Sequence, residues 1–248
     1  MLGHVKFDCN RRDILQGGIL LGVAAILGGC EGGGQRADAP DVAWPDQTKP
    51  RIANPTPTAA PSNPVISGGS PRGVIPRSAW TDASPNMRVA KPMNGVTRIT
   101  IHHDAMNSQG VTSQSAVARR LAGIRADHVG RKDPSTGAGW VDIGYHYIVD
   151  PAGRVWQGRP VSIEGAHVAK SNDHNLGIMV MGNFDEQQPT REALESLASF
   201  VAAQMRLYRV GVSRVYTHQE LKPTACPGRN LQRTMLALRS SSGRLARA

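Results

Sequence analysis

The stretch Thr217–Gly228, THQELKPTACPG, limits the folds open to this chain more than any other. His218 stands eight residues before Cys226, and Pro223 and Pro227 stiffen the loop between and beyond them. An imidazole and a thiol in one stiff loop make half of a zinc site. Zinc takes His nitrogen and Cys thiolate in tetrahedral sites, and a catalytic zinc keeps three protein ligands and leaves the fourth position to water. A fold that uses this pair must bring it a third donor from elsewhere. His102 or His103 is the candidate, at the end of the β-branched run Arg98-Ile99-Thr100-Ile101, because a buried strand end is a rigid place from which to aim a ligand. The spacing alone also suits a core histidine and a buried small thiol, being looser than the ligand spacings of structural zinc sites.

At 248 residues with 40% hydrophobic composition, the chain suffices for one sizeable core with tails. Of its three cysteines, Cys9 and Cys30 fall in an N-terminal leader, so Cys226 is the lone thiol of the folded part and a disulfide framework is excluded. A lone thiol in an oxidising compartment is less vulnerable when a metal holds it. The formal charge is +10, and residues 1–29 carry three basic and two acidic side chains, so the excess belongs to the remainder. Long-range attraction of this sign suits nucleic acid, anionic lipid or an anionic wall polymer alike. No nucleic-acid motif is present, and no nucleic-acid partner is expected.

Residues 1–29 place Lys6, Arg11 and Arg12 before the apolar stretch Gly17–Leu27, in the order of a secretory signal peptide. Eleven apolar residues are too few to span a bilayer, which needs roughly 18–20. Leu27-Gly28-Gly29-Cys30 resembles the lipobox of bacterial lipoproteins, which implies lipidation of Cys30; Asn10–Leu15 partly resembles a twin-arginine export signal. Residues 31–72 hold eight of the seventeen prolines, and residues 30–72 are expected to be a disordered tether. At ~3 Å per residue such a tether reaches on the order of 100 Å.

The folded part is expected over residues 73–238. Arg98–His102 reads as a strand, and Ser113–Ala126 as a helix with Val117, Leu121 and Ile124 on one stripe. Gly130–Gly139 reads as a surface loop. Tyr145–Val149 and Arg154–Trp156 flank the turn Asp150–Gly153 as a hairpin, and Leu176–Met181 is a further strand. Thr190–Arg209 is the clearest helix, capped by Thr190 and ended by Gly211, and Leu231–Leu238 is a shorter one. Residues 239–248 are expected to be a disordered basic tail. Strands alternating with helices predict an α/β single domain with a central mixed sheet flanked by helices.

In the same order, ITIHHDA, DIGYHYIVDPAGRVWQGRP, GAHVAKSNDHNLGIMVMGNFD and THQELKPTACPG resemble the peptidoglycan recognition protein family and its relatives, the type-2 N-acetylmuramoyl-L-alanine amidases. The resemblance covers roughly Val74–Leu238. It implies that fold, Zn2+ on His102, His218 and Cys226, catalytic roles for Tyr145 and Thr224, and muropeptide contacts at His167 and Asn175. A glutamate used by a second branch of the family falls on Met179, which implies the tyrosine-using mechanism. Two imidazoles and a thiolate leave such a zinc site at about +1, enough to ionise water near neutral pH instead of ~15.7. The implied substrate bond is the amide between the muramic acid lactyl group and L-Ala. The implied alternative is a non-catalytic peptidoglycan-binding module, in which the cysteine is commonly replaced.

From the residues alone, Tyr145 is also an ordinary strand aromatic and Thr224 an ordinary turn residue. His103 and His146 read as packing residues, and the arginines after Glu220 as a solvated face. The implied partners are peptidoglycan or a muropeptide, and a membrane through the N-terminal lipid. The chain is expected to be a monomer in the cell envelope, facing the periplasm. Glu31 after Cys30 favours the outer membrane over the inner.

Overall fold

The run Arg98–His103 forms strand β2, and its period-two alternation sorts the molecule into two faces. The computed structural model describes residues 73–132, 137 and 139–248. The expected signal peptide, Cys30 and tether lie outside the described residues. Around β2 stand β1 (Val74–Ile75), β3 (Tyr147–Val149), β4 (Val155–Gln157), β5 (Asn175–Val180) and β6 (Val215–Thr217), in the order β1-β4-β3-β5-β2-β6. Only the β3–β4 hairpin is antiparallel, so the sheet is mixed, as expected. Helices α1 (Gln114–Gly130), α2 (Arg191–Tyr208), α3 (His218–Leu221) and α4 (Arg229–Arg239) complete the fold.

Ile99 and Ile101 of β2 share one buried cluster with Leu176, Ile178 and Val180 of β5, with α2 through Leu197, Val201 and Met205, and with α4 through Leu231 and Met235. The intervening positions face the other way, where Met179 and Met181 meet Val117, Leu121 and Ile124 of α1 together with Trp80 and Trp156. Alternation therefore puts Thr100 and His102 on the α1 face and His103 on the α2 face. The His103 ring stacks on Phe184, a member of the α2-side cluster, in agreement with that placement.

Helix α1 starts on its expected cap, where Ser113 Oγ accepts from Ala116 N at 3.1 Å, but continues to Gly130 because His128 extends the buried stripe. Helix α2 starts on Thr190 as expected and ends at Arg209, which takes the left-handed conformation at φ 55°, before Gly211 is reached. The third strand begins at Tyr147, leaving Tyr145 in the preceding loop. Sequence reasoning missed β1, β6 and α3, all of four residues or fewer.

The C-terminal tail is a correction. Residues 245–247 form a 3-10 turn, Leu245 is buried in the α2-side cluster, and Arg244 Nη2 donates to Ser199 Oγ at 2.8 Å. One large apolar side chain among the arginines is enough to anchor the segment.

Candidate metal centre and groove

Parallel pairing of β2 with β6 brings Ile101 opposite Thr217, so the carboxyl ends of the two strands emerge side by side. His102 is near the end of β2, and His218 is the first residue after β6. Ligand sites in open α/β sheets favour this edge. The backbone then turns through α3: Glu220 Oε2 accepts from Thr217 N at 2.8 Å, and Arg239 Nη1 ties the same carboxylate to α4 at 2.9 Å. Gln219 N donates to Cys226 O at 2.9 Å, which returns the cysteine to the strand ends. Gly228, at φ 85°, lets the exit pass over residues 184–185, where a Cβ would come within 2.5 Å of the Phe184 carbonyl carbon.

The outcome is one cluster. One ligand atom each of His102, His218 and Cys226 lies within 4.8 Å of the others. His102 is 1% exposed, and the other two are half-buried. Cys226 Sγ lies 3.6 Å from His102 Nδ1 and accepts the His103 backbone N–H at 3.4 Å. Of the two histidines left open by the sequence, His102 joins the cluster, while His103 offers it a backbone donor and turns its ring to the other face. Burial, the largest cause, holds the imidazoles of His102 and His218 below the ordinary histidine range. Neutral imidazoles are the form that ligates metal. Burial likewise pushes the Cys226 thiol up to about 12, although the His103 N–H opposes the shift. A cation beside the sulfur relieves this cost by favouring thiolate. The donor set, two imidazoles and one thiol around one point, fits zinc.

Tyr145 stands over this cluster, its ring centroid 5.3 Å from that of His102. Burial first, then the charges of Cys226 and Asp104, raise its phenol pKa, so it is a proton-bearing donor at neutral pH and not a base. Thr224 is exposed on the loop, and its Oγ1 accepts Cys226 N–H at 3.2 Å, leaving the hydroxyl proton to donate elsewhere. Beside Tyr145 runs a groove of about 450 Å³ bordered by Asp104, Arg120, His128 and Arg131. Arg120 is clamped to Asp104 at 2.8 Å, which fixes that wall.

Met179, fully buried opposite His102 in the β2–β5 register, packs among the α1-side apolar groups, so this position brings no carboxylate to the centre.

Two expected site residues are corrected. His167 and Asn175 were expected on a groove rim, but both are buried beneath the cluster. His167 Nδ1 lies 3.0 Å from His102 Nε2, and His167 Nε2 lies 3.1 Å from Asn175 O. The Asn175 side chain accepts from Thr100 Oγ1 at 2.8 Å and donates to Ser171 O at 2.8 Å. A polar sequence block suggested solvent, whereas these polar groups satisfy one another inside the fold. His128 was missed. It lines the groove 5.7 Å from Tyr145 by ring centroids, with Nδ1 accepting Gly144 N–H at 3.0 Å. Its position on the α1 stripe, four residues after Ile124, was the available signal.

With the geometry in hand, the comparisons agree. The chain belongs to the N-acetylmuramoyl-L-alanine amidase family, whose profile matches residues 92–229. A short peptidoglycan-recognition protein of Drosophila simulans is 32% identical over 161 residues, covering 64% of this chain and 82% of that protein. The crystal structure of peptidoglycan recognition protein LE, a Drosophila melanogaster protein solved in complex with tracheal cytotoxin, a monomeric diaminopimelic acid-type peptidoglycan, superposes with TM-score 0.56. It is 27% identical over 66% of this chain and 92% of that one. The amidase LysC of Clostridium intestinale shares the fold at TM-score 0.52 and 22% identity, covering 68% of this chain and 97% of that one.

Proposed function

We propose that the chain is a zinc-dependent N-acetylmuramoyl-L-alanine amidase that hydrolyses the amide between the muramic acid lactyl group and L-Ala of peptidoglycan or muropeptides. The observation that carries the reading is the convergence of His102, His218 and Cys226 within 4.8 Å at the strand ends. A binding-only module has no use for a complete donor set with its fourth position beside a groove. A zinc ion held there supplies Lewis acidity toward a water molecule and the substrate carbonyl.

The chain's own groups do the rest. The groove beside Tyr145 receives the muropeptide and sets the scissile carbonyl against the cluster. Tyr145, kept neutral by burial, donates a hydrogen bond to the carbonyl oxygen as negative charge develops on it, and Thr224 donates from the loop; such donors act where charge grows. The His103 N–H fixes Cys226 Sγ and shares its negative charge. Cys226→Ser is the test. Muropeptide release by the full-length chain should be lost together with tightly held zinc, whereas undiminished release after chelator treatment would contradict the reading.

The proposal extends to the leader. Export, lipidation at Cys30 and a tether over residues 30–72 would present a monomeric domain to the wall from a bacterial membrane. No helix among the described residues is long and apolar enough to cross a membrane, so anchoring would fall to the lipid. Cys30→Ala should move the protein from the membrane to the soluble fraction; continued membrane association would remove the lipid from the account.

A further inference from the structure

Beneath the three proposed ligands lies a second tier of imidazoles that the mechanism above leaves unused. His146 and His167 are both buried, edge to face, with ring centroids 5.8 Å apart. The His167 ring occupies a slot that two glycines leave open. A Cβ on Gly165 would come within 2.3 Å of its Cδ2, and one on Gly177 within 2.5 Å of the same atom. Gly177 lies in β5 opposite Thr100, so the slot opens directly under His102. Backbone and ring are shaped to each other here, which an incidental histidine does not require.

Each ring nitrogen of the tier meets a partner with a restricted role, so the protons can be placed. The Asn175 carbonyl oxygen, 3.1 Å from His167 Nε2, can only accept, and His167 Nε2 therefore carries hydrogen. No carboxylate contacts the ring, and an unpaired cation in this buried position would be costly, so His167 is neutral and its Nδ1 is a bare lone pair. His102 Nε2, 3.0 Å from that lone pair, must donate to it. His102 Nδ1 is then left without hydrogen, and it is this atom that lies 3.6 Å from Cys226 Sγ. His146 holds the tier from behind: its Nδ1 accepts Gly177 N–H at 3.0 Å, which leaves Nε2–H to donate to Ile163 O at 3.1 Å.

We propose that His167 is a positioning residue that locks His102 in its Nε2–H tautomer and so turns a bare Nδ1 lone pair toward Cys226. The relay runs from the Asn175 carbonyl through His167 to His102. The proton placement stands on hydrogen-bond geometry alone; its consequence for metal affinity rests on the zinc reading above. Removing a partner of this kind from a metal-ligating histidine costs about 10–100-fold in metal affinity.

Two measurements on the full-length chain test it. In the metal-free protein labelled with 15N histidine, long-range 1H–15N spectra should show both His102 and His167 as Nε2–H tautomers. An Nδ1–H tautomer at His102 overturns the proposal without any variant having to fold. Zinc itself is then titrated against a chromophoric chelator. His167→Phe, which keeps a ring and loses the acceptor, should bind zinc about 10–100-fold more weakly, and His167→Gln, which restores an acceptor, should recover part of the loss. Binding by a folded His167→Phe within twofold of the parent overturns the proposal. A parent chain that takes up no zinc but shows both Nε2–H tautomers upholds the positioning role and removes the zinc reading.

Discussion

Asp142→Asn tests how the groove wall is held in place. Asp142 is fully buried three residues before Tyr145, and two guanidinium groups converge on it. Arg77 Nη2 and Arg125 Nε donate to Oδ1 at 2.9 and 2.7 Å, while Arg77 Nη1 approaches Oδ2 at 2.9 Å as an ion-pair contact rather than a directed hydrogen bond. The same arginines hold the Ala83, Ser84 and Gly158 carbonyls, so the carboxylate ties the first folded segment to the Tyr145 loop. Asparagine keeps Oδ1 but loses the charge and turns an amide N–H toward Arg77 Nη1. Removing one partner of a buried ion pair costs about 3–5 kcal/mol. Here the arginine side chains are 13% and 18% exposed and recover some hydration, which lowers the expected cost to about 2–4 kcal/mol. At about 2–4 °C per kcal/mol for a domain of this size, Tm should fall by roughly 5–15 °C. Thermal unfolding followed by far-UV circular dichroism, with metal chelated so that ligand linkage is constant, reads this directly. A fall of less than 2 °C would show that the pair behaves as a screened surface bridge, and the burial argument would be refuted.

Three further outcomes follow from the geometry. Tyr145→Phe should lower kcat about 100–1000-fold, as loss of one transition-state donor does, with zinc content unchanged; parallel metal analysis and muropeptide release check it, and an unchanged kcat removes Tyr145 from the mechanism. His128 and His146 are held neutral mainly by burial, with pKa values lowered from 6.5 to about 4 and about 3. The unfolded chain takes up protons near 6.5 that the folded chain refuses, so stability should be full above pH 7 and fall as pH drops through 6.5 toward 4. Denaturant titrations across that range should show it, and a flat profile contradicts it. Leu245→Ala should cost about 2–5 kcal/mol, the range for emptying a packed leucine site, and a neutral result in denaturant unfolding would mean that the tail is not anchored.

Much of the architecture could be read from the chain because its long elements carry strong local patterns. The β-branched run of β2, the Thr190 cap with its stripe along α2, and the turn between β3 and β4 all specify their own conformation. What escaped was set by pairing. Val215-Tyr216-Thr217 is too short to declare itself a strand, yet it becomes one because β2 offers it a parallel edge. That pairing, and not the eight-residue spacing, delivers His218 to His102. The choice between His102 and His103 needed the face of the sheet, which neighbouring strands decide. His167 and Asn175 looked solvated in a polar block, but their partners, His102, Thr100 and Ser171, come from three separate places in the chain. Polar residues that satisfy one another across such distances leave no local signature.

The most direct test of the account is zinc content and muropeptide release measured on the same preparation of the full-length chain, before and after chelation. The account predicts about one zinc per chain for a single three-ligand site, together with release of peptides beginning with L-Ala that is lost on chelation and restored by zinc. A chain that binds purified sacculi without holding zinc and without cutting them would contradict it, and would make this a recognition module in which Tyr145 and Thr224 have no catalytic part.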